Sequence, residues 1–119
     1  HVVDGGFNAW QEAGLDVSQV CGPVEPVDFD SDPQPERHIG YEEIRDRLGA
    51  EGFVLLDTRS EGEYTGEVVR AARGGAIPGA VHIEYKNNVD EKGFYKTADE
   101  LRTMYERAGI MPEQTIACY

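Results

Sequence analysis

Cysteine is scarce in this chain: Cys21 and Cys118 are the only two among 119 residues. They lie far apart without CxxC spacing, which excludes a disulfide framework and a thiolate metal site. His1, His38 and His82 are scattered without ligand spacing, so no zinc site is expected, and no pattern calls for a cofactor. Positive charge is also thin. Eleven Lys and Arg face 23 Asp and Glu, a formal charge of −12. That balance argues against nonspecific binding to nucleic acid or an anionic membrane, and any anionic ligand must find local cations. No apolar run approaches the ~20 residues of a membrane span, and the start of the chain does not resemble a signal peptide. The expected setting is the cytoplasm, where thiols stay reduced.

What is present centres on residues 53–64, FVLLDTRSEGEY. Four apolar residues precede Asp57-Thr58-Arg59, a pattern that predicts a fully buried strand of a parallel sheet. Open parallel sheets take ligands beyond the carboxyl ends of their strands, where Asp57 and Arg59 would stand. From the residues alone, the pair is either part of a binding site or a salt bridge or cap that braces the loop.

Around this strand the chain reads in order. Val2-Val3 predicts a short strand and Asp4-Gly5-Gly6 a turn. Phe7, Trp10 and Ala13 then fall at helical spacing, with Trp10 expected to face a core. Residues 22–36 hold four of the six prolines and five acids without a base, the composition of an extended linker. Cys21 at its entrance has no neighbouring base and reads as an ordinary thiol. Tyr41, Ile44 and Leu48 predict a helix with acids early and arginines late, as the helix dipole favours. Residues 67–79 form a Gly-rich loop carrying Arg70 and Arg73. The loop lacks the Lys-Ser/Thr ending of a P-loop, and solvation is the favoured role for its arginines. Residues 80–83 predict a second strand, and 87–96 a polar loop or weak hairpin. Thr97 and Glu100 form a capping-box signature, followed by Leu101, Met104, Tyr105 and Ala108 on one helical face. Residues 115–119 begin another strand. Strands alternating with helices predict an α/β domain with a largely parallel sheet. Both chain ends fall in strand-like runs, the pattern expected of a piece of a longer protein.

The succession LLDTRSEGEYTGE, GGAIPGAVHI, KTADELRTMYERAGI and an apolar strand resembles the first two-thirds of a rhodanese domain. VDGGFNAWQEAGLDV resembles the last strand and helix of another. With the acidic linker between them, the whole resembles the middle of a tandem-domain sulfurtransferase. The resemblance implies a rhodanese-like parallel sheet with helices on both faces, incomplete because the chain is truncated. It also implies three parts: residues 1–22 ending a first domain, a linker over 23–37, and 38–119 beginning a second domain. The family's nucleophilic cysteine would follow Tyr119, which leaves Cys118 two places early and expected to point into packing.

The implied chemistry moves a sulfane sulfur from thiosulfate or a mercapto acid to a thiol or cyanide through a cysteine persulfide. Asp57 would brace the catalytic loop and Arg59 lie beside it. Some relatives hold substrate with an arginine where this chain has Glu63, and Ala76 replaces a common histidine. Donor binding therefore falls to Arg59 or to residues beyond the chain. Two other readings are a noncatalytic rhodanese-like binding module and a phosphatase of the same fold. The implied partners are a small anionic sulfur donor and a thiol or cyanide acceptor, with no nucleic acid or membrane. Residues 2–13, a strand and helix like those the second domain would end on, are a candidate to dock in a vacated place in the sheet, within one chain or as a strand-swapped dimer.

Overall fold

The computed structural model describes residues 2–20 and 22–119. Helix α1 spans Gly6–Glu12 and α2 spans Tyr41–Arg47. Strand β1 (Phe53–Asp57) is followed by α3 (Glu61–Thr65) and β2 (Val81–His82), then α4 (Ala98–Arg107) and β3 (Thr115–Cys118). All strand pairs are parallel, in the order β2-β1-β3. The central strand is the apolar run read from the sequence, and all five of its residues are buried.

Two helices cover opposite faces of the sheet. Against α4, Val54, Leu56, Ile83 and Ile110 pack with Met104, Tyr105 and Ala108. On the α2 side, Phe53, Leu55 and Ala117 pack with Ile39 and Ile44. Each fully buried aliphatic side chain contributes about 1.5–3 kcal/mol, so β1 is the main source of cohesion. Helix α4 starts as its sequence predicts. Thr97 Oγ1 accepts from the Glu100 backbone at 3.4 Å, while the Glu100 carboxylate accepts from the Thr97 backbone at 2.9 Å. The predicted hairpin is reduced to one antiparallel bridge, Val89 to Tyr95.

Several expectations are corrected. Val2 and Val3 form no strand: they are exposed and have no ladder partner, so residues 2–4 do not dock into the sheet. Trp10 does not face a core; it is 42% exposed and its indole N–H donates to the Asp16 carbonyl at 2.9 Å. The short α1 packs too little surface to enclose so large a ring. Of the predicted α2 face, Ile44 reaches the core while Tyr41 stays exposed. Cys118 is also exposed. It lies on the edge strand, on the face where α4 packs over Val54, Leu56 and Ile83. The reading of Cys21 lies outside the described residues. Residues 22–34 are exposed and carry no regular element before a 3-10 turn at Pro35–Arg37. The radius of gyration is accordingly 18.5 Å, against about 13–14 Å for a compact chain of this length.

Candidate functional site at the strand ends

Parallel pairing brings the carboxyl ends of β1 and β3 to one rim. Past the last paired residues, the Tyr119 N–H donates to the Leu56 carbonyl at 3.0 Å. The Tyr119 carbonyl accepts from the Thr58 N–H at 3.0 Å and from its hydroxyl at 2.8 Å. The turn after β1 is thus fastened to the end of β3.

Asp57 closes β1 and is completely buried. A lone carboxylate there would be costly, and Arg59 offsets the cost by wrapping back onto it. The Arg59 backbone N–H and Nε each donate to Asp57 Oδ1 at 3.0 Å, and a terminal guanidinium nitrogen donates to Oδ2 at 2.5 Å. Burial pushes the Asp57 carboxyl up, but the Arg59 hydrogen bonds outweigh it and hold the pKa below the usual range. The same carboxylate raises the Arg59 pKa. Arg59 also donates to the Gly75 carbonyl at 3.0 Å and lies 5.1 Å from the Tyr119 ring centroid. Asp57 and Arg59 therefore stand on the same rim as the end of β3.

His82, one of the scattered histidines, fastens this turn from the β2 side. Its Nε2 lies 2.9 Å from the Arg59 carbonyl oxygen, so that nitrogen carries the proton and donates. The ring stacks on Tyr64 of α3, with centroids 4.4 Å apart and planes 9° from parallel. No spacing rule exposes such a residue, because its partners come from two other segments.

Glu63 is turned toward its own helix and loop. It accepts from the Ser60 hydroxyl at 2.7 Å and pairs with Arg70 Nε at 3.4 Å. The Ser60 bond, helped by Arg70, keeps its carboxyl below the usual range. The Gly-rich loop closes by backbone approach. A Cβ on Gly74 would sit 2.9 Å from Val69 Cγ2 and 3.2 Å from the Gly66 Cα and carbonyl oxygen. The closed loop presents Arg73, which with Arg59, Gly74, Gly75, Ile77 and Tyr119 lines a cavity of about 460 Å³. The Ile77 N–H donates to the Tyr119 hydroxyl at 3.0 Å, and burial raises the Tyr119 phenol pKa. The sequence favoured solvation for both loop arginines. Both stay exposed in the structure, Arg70 pairing with Glu63 and Arg73 lining the cavity.

A three-strand parallel sheet that is not closed, with polar side chains gathered at its strand ends, defines an open α/β domain. The chain belongs to the rhodanese family: the Rhodanese-like domain model matches residues 41–119. Thiosulfate sulfurtransferase from Azotobacter vinelandii is 32% identical over 121 residues, covering 100% of this chain and 44% of the relative. A 3-mercaptopyruvate sulfurtransferase from Rattus norvegicus is 29% identical, covering 92% of this chain and 38% of its own. This chain therefore spans less than half the length of these relatives. Among solved structures, the anaerobic ergothioneine biosynthesis enzyme from Chlorobium limicola, in complex with trimethyl histidine, aligns with a TM-score of 0.87. It is 27% identical, and the match covers 100% of this chain and 31% of that one.

Proposed function

We propose that this chain is the middle part of a tandem-domain sulfurtransferase that acts on thiosulfate or a mercapto acid. Residues 1–22 end one domain, 23–37 connect, and 38–119 begin the domain that carries the chemistry. The nucleophilic cysteine follows Tyr119 in the parent protein, which works in the cytoplasm. Its thiolate attacks the outer sulfur of thiosulfate, the S–S bond breaks, and sulfite leaves with the electron pair. Cyanide or a thiol then attacks the outer sulfur of the persulfide, and the thiolate is regenerated.

The observation that carries this reading is the shared rim of β1 and β3. Asp57 and Arg59 neutralise one another there, next to the residue after which the nucleophile is proposed. Arg59 is committed to Asp57 and Gly75, which leaves Arg73 to attract the anionic donor into the cavity. A cation here counts for more because the chain as a whole repels anions. Support for the substrate class comes from the names of the relatives. One solved relative, 26% identical with a TM-score of 0.87, is described as holding ergothioneine covalently linked with a persulfide.

The test is thiocyanate production from thiosulfate and cyanide. The parent protein is expected to produce it, and the 119-residue chain alone is not. Absence of product with the parent, from thiosulfate or from 3-mercaptopyruvate, would overturn the assignment.

A further inference from the structure

Gly5 is the only buried residue ahead of Phe53 among the described residues. Ala9 of its own helix covers one side of it. The rest of the enclosure comes from far along the chain, where the ring of Phe94 packs against it. A Cβ added at Gly5 would fall 2.7 Å from Phe94 Cε1 and 2.6 Å from Ala9 Cβ. The backbone at Gly5 has φ 78°, a conformation that side chains other than hydrogen disfavour. Space and conformation thus select glycine independently.

Beside this contact, the Asp4 carboxylate accepts from the Tyr95 backbone N–H at 2.9 Å, a bond across 91 positions of sequence. The receiving surface is organised from within. Asp90 Oδ1 accepts from the backbone N–H groups of Lys92 and Phe94 at 2.9 and 3.0 Å. The Asp90 N–H donates to the Phe94 carbonyl at 2.8 Å, closing the loop that holds the Phe94 ring outward. Acid and glycine are therefore presented to a free N–H and an aromatic ring, each preset by its own turn.

We propose that the Asp4-Gly5 turn and the 90–95 hairpin form a lock. It fastens the segment before the acidic stretch to the rhodanese-like body. The lock would make residues 22–34 a strap tied at both ends and not a free tether. Its second tie is Ile39, which packs with Phe53, Leu55 and Ala117 just after the 3-10 turn. The partner that this hairpin accepts is a tight turn of Asp followed by glycine with positive φ, supplied by the same chain. If residues 1–22 end a preceding domain, as proposed above, this surface holds that end against the rhodanese-like body.

Amide hydrogen exchange at Tyr95, read by NMR on the full chain, tests the lock. Asp4→Ala and Gly5→Ala are each expected to speed Tyr95 exchange by about tenfold or more, the loss of a hydrogen bond to a charged acceptor. Leu55 and Leu56 in β1 should keep their protection in both variants. Unchanged Tyr95 exchange in Asp4→Ala would overturn the proposal. Should Gly5→Ala also expose Leu55 and Leu56, the body has unfolded in that variant, and Asp4→Ala, which adds no bulk, decides between the outcomes. Sulfur-transfer activity does not enter the readout, so the lock can fail while the enzymatic reading stands, and the reverse.

Discussion

At the scale of single residues, Asp57 ties folding to the site. It is buried only because Arg59 satisfies both of its oxygens, so removing its charge strands a guanidinium made to fit it. Asp57→Asn is expected to cost about 3 kcal/mol of stability, measured by urea unfolding at neutral pH. The depressed Asp57 pKa also fixes the sign of the pH dependence. An unfolded aspartate titrates near ~3.9, so the pair stabilises the fold fully above that value. The stabilisation drains away as acid carries the solution down through the folded pKa. The Asp57→Asn variant should therefore lose less stability than the parent sequence between neutral pH and about pH 3; equal losses would contradict the argument. The strand and the opposite charges at its end were legible in the sequence, because a buried run flanked by turn residues has a definite physical meaning, while the residues alone left open whether the pair binds or braces. His82 was not. Its role comes from a stack on Tyr64 and a bond to the Arg59 carbonyl, contacts that exist only after three segments meet.

At the scale of elements, local signals served best where one segment contains its own partners. The Thr97–Glu100 box and the apolar face of α4 are such cases, and the helix forms where they put it. Signals that need a distant surface served less well. Val2-Val3 has strand-forming residues, yet no ladder reaches it, and Trp10 has a helical position without a core to meet it. Cys118 alternates with Ala117 as a strand residue should, but α4 does not cover the edge strand at that point. The Gly-rich loop shows what composition alone leaves open. Gly74 is there for close approach to Gly66 and Val69, and the neighbouring Arg73 lines the cavity. Gly74→Ala is expected to force the Val69 and Gly66 sides apart and draw Arg73 out of the cavity. In the parent protein that should raise KM for thiosulfate several-fold with a smaller change in kcat, since binding and not chemistry is disturbed. An unchanged KM would mean that Arg73 does not meet the donor.

At the scale of the whole molecule, the charge of −12 and the extended acidic stretch set the terms. Anions are repelled everywhere except where fixed cations stand, and the rim at the ends of β1 and β3 gathers Arg59 and Arg73 beside Tyr119. The α/β class could be read from alternating patterns, and the family from four motifs in sequence order, but helix α3 at Glu61–Thr65 carried no signal that was read. How the Asp4-Gly5 turn meets the rest could not be read either, since that contact joins positions about ninety apart. The central claim is that this rim cradles a sulfur-carrying cysteine placed directly after Tyr119. Mass spectrometry of the parent protein after thiosulfate treatment tests it most directly. A gain of one sulfur atom on the cysteine next after Tyr119, removed again by cyanide, is the predicted result. Sulfur on Cys21 or Cys118 instead, or on no cysteine, would contradict it.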